Sequence, residues 1–233
     1  MQHLEEALNH LNIQWDQWMM DMFKNYRDQV LLWNEKVNLT SIKDPVEFEI
    51  KHFVDSISIC DHSAFLNSKE IIDIGTGGGF PGLPLAILFP GKRFVLVDSL
   101  NKRVNILKDI IEQLGLSNVT AFHGRAEDLG RVKEHRERYD LCVSRAVANL
   151  ATLSEYCLPF VRVKGYLAAY KTEKSKEEVE ASGRALSILG GRVKEIQQAF
   201  PNLSGHRIIW IEKVQSTPAK YPRKAGMPAK EPL

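Results

Sequence analysis

The chain has 233 residues, 44% of them hydrophobic, with 31 Lys and Arg set against 29 Asp and Glu. That length suits one α/β domain with an appendage, and a formal net charge of +2 excludes a polycation that would announce nucleic acid by global charge. Cys60, Cys142 and Cys157 are odd in number and form no CxxC pair, so neither a disulfide framework nor a zinc site is indicated and no metal is expected.

No charged-then-apolar leader is read at the amino end, and the apolar runs are too short to span a bilayer. A reducing, cytoplasmic setting without a membrane partner is expected. From Trp15 through Trp33, the positions Trp15, Trp18, Met19, Met22, Phe23, Tyr26, Val30 and Trp33 recur at helical spacing. They predict one long amphipathic helix packed on the main domain as a cap. A second helix is expected over 45–59. Between them, Trp33-Asn34-Glu35-Lys36-Val37-Asn38-Leu39-Thr40 is a polar bend whose composition reveals no function.

The most informative segment is Glu-Ile-Ile-Asp-Ile-Gly-Thr-Gly-Gly-Gly-Phe-Pro-Gly at 70–82. Ile71, Ile72 and Ile74 read as a buried strand, Gly75 and Gly77 permit positive φ and close approach to a ligand, and a helix is expected to begin near Gly82. GxGxxG occurs at Gly77, Gly79 and Gly82, two residues late for a dinucleotide fingerprint; counted from Gly75 the third glycine is Phe80. That bulk argues against NAD. The order Asp-x-Gly-x-Gly-x-Gly instead resembles the first motif of S-adenosylmethionine methyltransferases, where Phe80 would offer a backbone contact or an apolar wall.

Residues 93–98 read as a second strand ending in Asp98, at the usual offset for a ribose-binding carboxylate, although a helix cap over 100–114 is an equally physical role. Strands at 119–123, 139–144 and 165–171 alternate with helices near 150–158 and 174–189, which argues for a parallel, doubly wound sheet. Two strands at 193–199 and 207–214, joined through Pro201, Asn202 and Gly205 with no helix between, must form a hairpin. The fold expected is therefore α/β and Rossmann-like: a mostly parallel seven-stranded sheet with an antiparallel terminal hairpin, of the class I methyltransferase type. Its expected parts are a helical cap at 1–60, a cofactor-binding domain at 61–215 and a basic tail at 216–233.

Absent groups narrow the chemistry. An Asn/Asp-Pro-Pro-aromatic loop for amino-nitrogen methylation is replaced by Ser144-Arg145-Ala146-Val147, and Cys142 and Cys157 look structural, which disfavours a covalent cytosine mechanism. An acceptor that is already nucleophilic, such as a guanine ring nitrogen, then needs chiefly positioning. No catalytic base is assigned. Ala126-Glu127 lies where an adenine-contacting turn would sit. Arg145, at the carboxyl edge of the sheet, can meet the cofactor carboxylate, RNA or the target base, or pair with Asp73 or Asp98. The tail, with Lys220, Tyr221, Arg223 and Lys224, is basic and proline-spaced; no regular structure is expected, and phosphate contact with stacking by Tyr221 suits it. Lys102, Arg103, Arg125, Lys164 and Lys171 would extend it as a basic stripe.

Together these segments resemble the glucose-inhibited division protein B family, the bacterial 16S rRNA (guanine-N7) methyltransferases G, over nearly the whole length. The resemblance rests on Trp33 to Ile42, His52-Phe53-Val54-Asp55-Ser56, the glycine loop, Val97-Asp98-Ser99 with Lys102-Arg103, Arg125-Ala126-Glu127, Ser144 to Ala148, and the tail pattern Thr-Pro-x-Lys-Tyr-Pro-Arg-Lys. It implies methylation of N7 of guanine 527 in the 530 loop of 16S rRNA with S-adenosylmethionine as cofactor. The cofactor contacts it implies are Gly75, Phe80, Ala126, Glu127 and Arg145, to which position adds Gly77 and Asp98. It also shifts Glu127 and the tail from surface roles to functional ones. The partner expected is 16S rRNA or the 30S subunit, engaged by a monomer.

Overall fold

Two helices lead the chain, α1 (Gln2–His10) and α2 (Gln17–Asn34), the second capped by Asp16, whose carboxylate accepts from Met19 N at 2.8 Å. The computed structural model describes residues 1–200, 203 and 205–233, so the expected loop positions Pro201 and Asn202 lie outside the described residues. The buried face of α2 is Met20, Met22, Phe23, Tyr26 and Val30. Trp18, expected in that face, is 65% exposed, because a helix starting at Gln17 turns Met20 inward in its place.

The helix expected over 45–59 runs unbroken across those residues but changes type along its length, from α3 (Pro45–Phe48) through a π-helical turn (Glu49–Val54) to a closing 3₁₀ turn (Ile57–Ile59). The wider π turn lets Glu49, Phe53 and Val54 all be buried, a geometry that often marks functional sites. Buried Glu49 accepts from Leu4 N at 2.8 Å and so holds α1 against this turn. A short α4 (Ser63–Leu66) leads into the sheet.

From there strands and helices alternate: β1 (Glu70–Ile74), α5 (Gly82–Leu88), β2 (Arg93–Asp98), α6 (Asn101–Gln113), β3 (Val119–His123), α7 (Ala126–Leu129), β4 (Tyr139–Arg145), α8 (Leu150–Cys157), β5 (Val161–Lys171) and α9 (Ser175–Leu189). The hairpin β6 (Gly191–Gln198) and β7 (Arg207–Lys213) follows, and a last turn α10 (Met227–Lys230) ends the tail. The sheet order is β3-β2-β1-β4-β5-β7-β6. Pairing is parallel from β3 to β5, while β7 runs antiparallel between β5 and β6. The strand order reverses between β1 and β4, the place where open α/β sheets bind ligands at their carboxyl ends.

One core, containing Phe23, Phe48, Phe53, Ile71, Leu96 and Trp210 among others, joins the cap helices to one face of the sheet. A second packs α8, α9 and Tyr221 of the tail on the other face. The cap is therefore continuous with the core it covers. No helix among the described residues is long and apolar enough to cross a membrane.

Candidate active site

The end of β1 is organised by Asp73. Its buried Oδ2 accepts from Thr76 Oγ1 at 2.8 Å and from Gly82 N at 2.9 Å, tying the start of the glycine loop to the start of α5. Its Oδ1 is buried and has no partner among the described residues. Burial pushes the Asp73 carboxyl up to about 7, against the opposing pull of those two hydrogen bonds. Gly75 has φ +73°, and a β-carbon there would collide with Val147 Cγ2. Gly77, at φ +59°, has open space where a side chain would stand, so the loop backbone is bare toward the cavity. The cap takes part as well, since Tyr26 Oη donates to Gly78 O at 2.7 Å.

Asp98, at the end of β2, accepts from Gly77 N at 3.0 Å and from Leu100 N at 2.9 Å. It brackets the glycine loop and the turn before α6 instead of capping that helix; Leu100 occupies the cap position without a side-chain bond. With Ala126, Glu127, Val147 and Tyr156 it lines a cavity of about 330 Å³. Glu127 is buried, with Oε1 accepting from Gly226 N of the tail at 2.9 Å.

A larger cavity, of about 520 Å³, lies on the other side of the glycine loop and is lined by Thr40, His52, Asp55, Phe80, Arg145 and Lys171 among others. Gly75, Arg103 and Ala146 border both cavities, so the two meet where β1 and β4 end. Ala146 has φ 56°, a left-handed conformation unusual for a residue with a β-carbon. It turns the chain so that Val147 packs on Gly75.

Arg145 is neither free nor bonded to Asp73 or Asp98. Its Nη1 donates to Asp55 Oδ2 and to Lys51 O, both at 2.8 Å, and its Nη2 to His52 Nδ1 at 3.0 Å. The guanidinium lies 5.3 Å from the centroid of Phe80, whose ring stacks on His52 at 4.2 Å. Burial would raise Asp55, but the hydrogen bonds and charges of His206 and Arg145 outweigh it and hold the carboxyl below its ordinary value. His52 is pushed down to about 3, first by burial and then by the Arg145 charge, so it is a neutral imidazole. His52, Asp55 and Thr40 line this cavity, although sequence reasoning gave them no role beyond membership of the segments that carry the resemblance. A further local signal was the i, i+3 spacing of His52 and Asp55 in the expected helix.

The tail departs furthest from expectation. It folds back on the domain and ends in α10, because long-range polar groups take up its backbone. Arg136 donates to the carbonyls of Thr217 at 2.7 Å and Tyr221 at 2.8 Å, and Thr152 Oγ1 to Pro228 O at 3.1 Å. Tyr221 is 7% exposed, so its ring belongs to the core and offers no stacking face. Arg223 is committed to buried Glu155, with Nη2 2.7 Å from Oε2. Lys220 and Lys224 remain exposed. The basic stripe is also reduced: Lys171 is spent on Glu178 at 2.7 Å, and Lys164 lines a cleft with Asp140 and Ser68, at the amino end of the sheet. Lys102 stays exposed, and Arg125 lines the smaller cavity.

These positions fit a nucleoside without phosphate. The amides of Gly77 and Gly82, which a pyrophosphate would require, are already bound to Asp98 and Asp73, and two carboxylates would repel it. Ribose hydroxyls and an amino group suit Asp98 and Glu127, which line the smaller cavity and offer carboxylate oxygens as acceptors. Among the described residues no group of three His, Cys, Asp or Glu is placed to hold a metal ion.

Comparison with known proteins agrees with this geometry. A solved S-adenosylmethionine-dependent methyltransferase from Aquifex aeolicus superposes with a TM-score of 0.54 at 20% identity, covering 73% of this chain and 94% of that one, and shares the fold. The ribosomal RNA small subunit methyltransferase G of Alkaliphilus metalliredigens is 46% identical over 99% of this chain and 97% of its own length. That of Clostridium novyi is 44% identical over 99% and 96%. The family described as rRNA small subunit methyltransferase G matches residues 19–205, and the chain belongs to that family.

Proposed function

We propose that the protein transfers the methyl group of S-adenosylmethionine to N7 of guanine 527, in the 530 loop of 16S rRNA. The observation that carries this reading is the meeting of two cavities at Gly75 and Ala146, one walled by Asp98 and Glu127, the other by Arg145, His52 and Phe80. The cofactor, when bound, supplies an electrophilic methyl group. Asp98 and Glu127 accept hydrogen bonds from its adenosine half, Ala126 borders the adenine, and the bare backbone at Gly75 and Gly77 allows close approach. Phe80 forms an apolar wall, while Arg145 fixes the acceptor side through Asp55 and His52. Lys220 and Lys224 reach RNA phosphates, with Arg223 holding their segment in place.

Guanine N7 bears an in-plane lone pair, so it needs orientation rather than deprotonation. Cys142 and Cys157 are buried and line neither cavity, which agrees with a mechanism that uses no thiolate. The substrate is the small subunit or its rRNA, and the enzyme acts as a cytoplasmic monomer. The test is methyl transfer from radiolabelled S-adenosylmethionine to 30S subunits from a strain lacking this gene, followed by borohydride–aniline cleavage at N7-methylguanine. Cleavage at the 530-loop guanine is expected; label elsewhere would overturn the site.

A further inference from the structure

The bend between α2 and α3 is built as a rigid wall of the larger cavity. Asn34 Oδ1 accepts from Leu39 N at 2.7 Å and Thr40 N at 2.9 Å, and its Nδ2 donates to Thr40 O at 2.8 Å. Arg103 Nη2 adds a bond to Asn38 O at 3.1 Å. Thr40 is thus fixed through both its backbone groups, with 8% of its surface exposed, in the cavity lining.

Hydrogen-bond accounting then determines what its side chain offers. An arginine can only donate, so the 3.0 Å contact from Arg145 makes His52 Nδ1 an acceptor. The imidazole proton must reside on Nε2, and it donates to Thr40 Oγ1 at 2.7 Å. The other tautomer, or an imidazolium, would set N–H against N–H. Ile42 N donates to the same Oγ1 at 3.0 Å. Both acceptor positions of the hydroxyl are filled, and its proton has no acceptor among the described residues. In the cavity lining, that proton is the one group Thr40 has left to give to an acceptor that enters.

We propose that Thr40 is the specificity-determining donor for the target base and binds O6 of the guanine. This rests on the proposed N7 reaction. On the edge that carries N7, guanine presents O6 as a second acceptor, whereas adenine presents an amino donor there. A hydroxyl with only its proton to give accepts the first and opposes the second. Holding O6 also aims N7 at the passage between the cavities. There the N7 lone pair forms the new N–C bond while the C–S electron pair returns to sulfur, and no proton leaves. Arg145, His52 and Thr40 form a one-way chain of donation ending on the base.

The test compares subunits assembled from 16S rRNA carrying guanine, inosine or 2,6-diaminopurine at the target position. The wild-type enzyme should methylate inosine, which keeps O6, within about threefold of guanine, and diaminopurine on the order of 100-fold more slowly in kcat/KM. Thr40→Val should lose about 10- to 100-fold on guanine, leave S-adenosylhomocysteine affinity within about twofold and shrink the guanine-to-diaminopurine ratio below about tenfold. Thr40→Ser should retain most of the activity and selectivity. Equal use of diaminopurine by the wild-type enzyme would overturn the proposal. So would a Thr40→Val loss matched by an equal loss of cofactor affinity, or one with the ratio unchanged. Should the wild-type enzyme place no label on the guanine substrate, the N7 reading itself fails, and the proposal falls with it.

Discussion

Truncating Arg223 to alanine should detach the tail and weaken cofactor binding at a distance. The Glu155 carboxylate, 1% exposed, accepts from Arg223 N at 2.7 Å, from Nε at 3.0 and 3.1 Å and from Nη2 at 2.7 Å. Removing one partner of a buried ion pair costs about 3–5 kcal/mol, chiefly because a charge is left unpaired. Peeling of the tail limits that cost by admitting water to Glu155. The limit is the free energy that docks the tail, to which Arg136, Thr152 and the Lys213–Thr217 bond at 2.7 Å also contribute. At about 1 kcal/mol for each hydrogen bond, a global loss of about 2–4 kcal/mol is expected in urea unfolding. Peeling also withdraws Gly226 N from Glu127 Oε1, so S-adenosylhomocysteine affinity, measured by calorimetry, should fall about tenfold, equivalent to about 1.4 kcal/mol. Adding Glu155→Gln should restore at least about 1 kcal/mol, because no charge then stays buried. An Arg223→Ala protein within about 1 kcal/mol of wild type, or a double variant no more stable than the single, would refute the argument.

Gly75→Ala combines a β-carbon at positive φ, costing about 1–2 kcal/mol, with a collision against Val147 Cγ2. Cofactor affinity should drop at least about tenfold, and adding Val147→Ala should relieve the collision but not the backbone strain. Titration of the two proteins with S-adenosylhomocysteine checks this. Asp73 carries a pH signature. Its folded pKa, about 7, lies above the model-compound value of 3.8, so it contributes stability that is full below 3.8 and lost as pH rises through about 7. The stability advantage of wild type over Asp73→Asn should therefore shrink from pH 4 to pH 8, by up to about 4 kcal/mol, in parallel urea titrations. A difference that does not change with pH would contradict the burial assigned to this carboxylate.

Much of the sheet was legible because its signals are local. Strands at 70–74, 93–98 and 119–123 are bounded by apolar runs, glycines and acids that act within a few residues. Gly75, Gly77, Phe80, Asp98, Ala126 and Glu127 reach the cavities for the same reason, since each lies at the end of a strand or in the segment that follows it. The rest depends on distant partners. The π turn at Glu49–Val54 is selected by packing of Phe53 against Phe23 and Phe48, in edge contacts at 4.9 and 5.3 Å between ring centroids. Tyr221 and Arg223 gain their order from Arg136 and Glu155, far away in sequence. Composition alone reads such a tail as an unpaired basic strand.

The two cavities draw their walls from different parts of the chain. The smaller cavity is assembled from strand ends and the loops that follow them, and the fold that supplies those ends is shared with a solved structure of 20% identity that superposes on 73% of the chain. The larger cavity is different, because Thr40, His52 and Asp55 come from segments ahead of β1, while Arg145 comes from β4. The Asn34 bracket holds Thr40, and the bond from Tyr26 to Gly78 O holds the glycine loop, both anchored in α2. A perturbation of α2 should thus reach the acceptor wall and the glycine loop together, whereas one in the tail reaches the cofactor through Glu127. The two routes enter opposite sides of the same passage at Gly75 and Ala146, so their effects on acceptor selectivity and on cofactor affinity should separate.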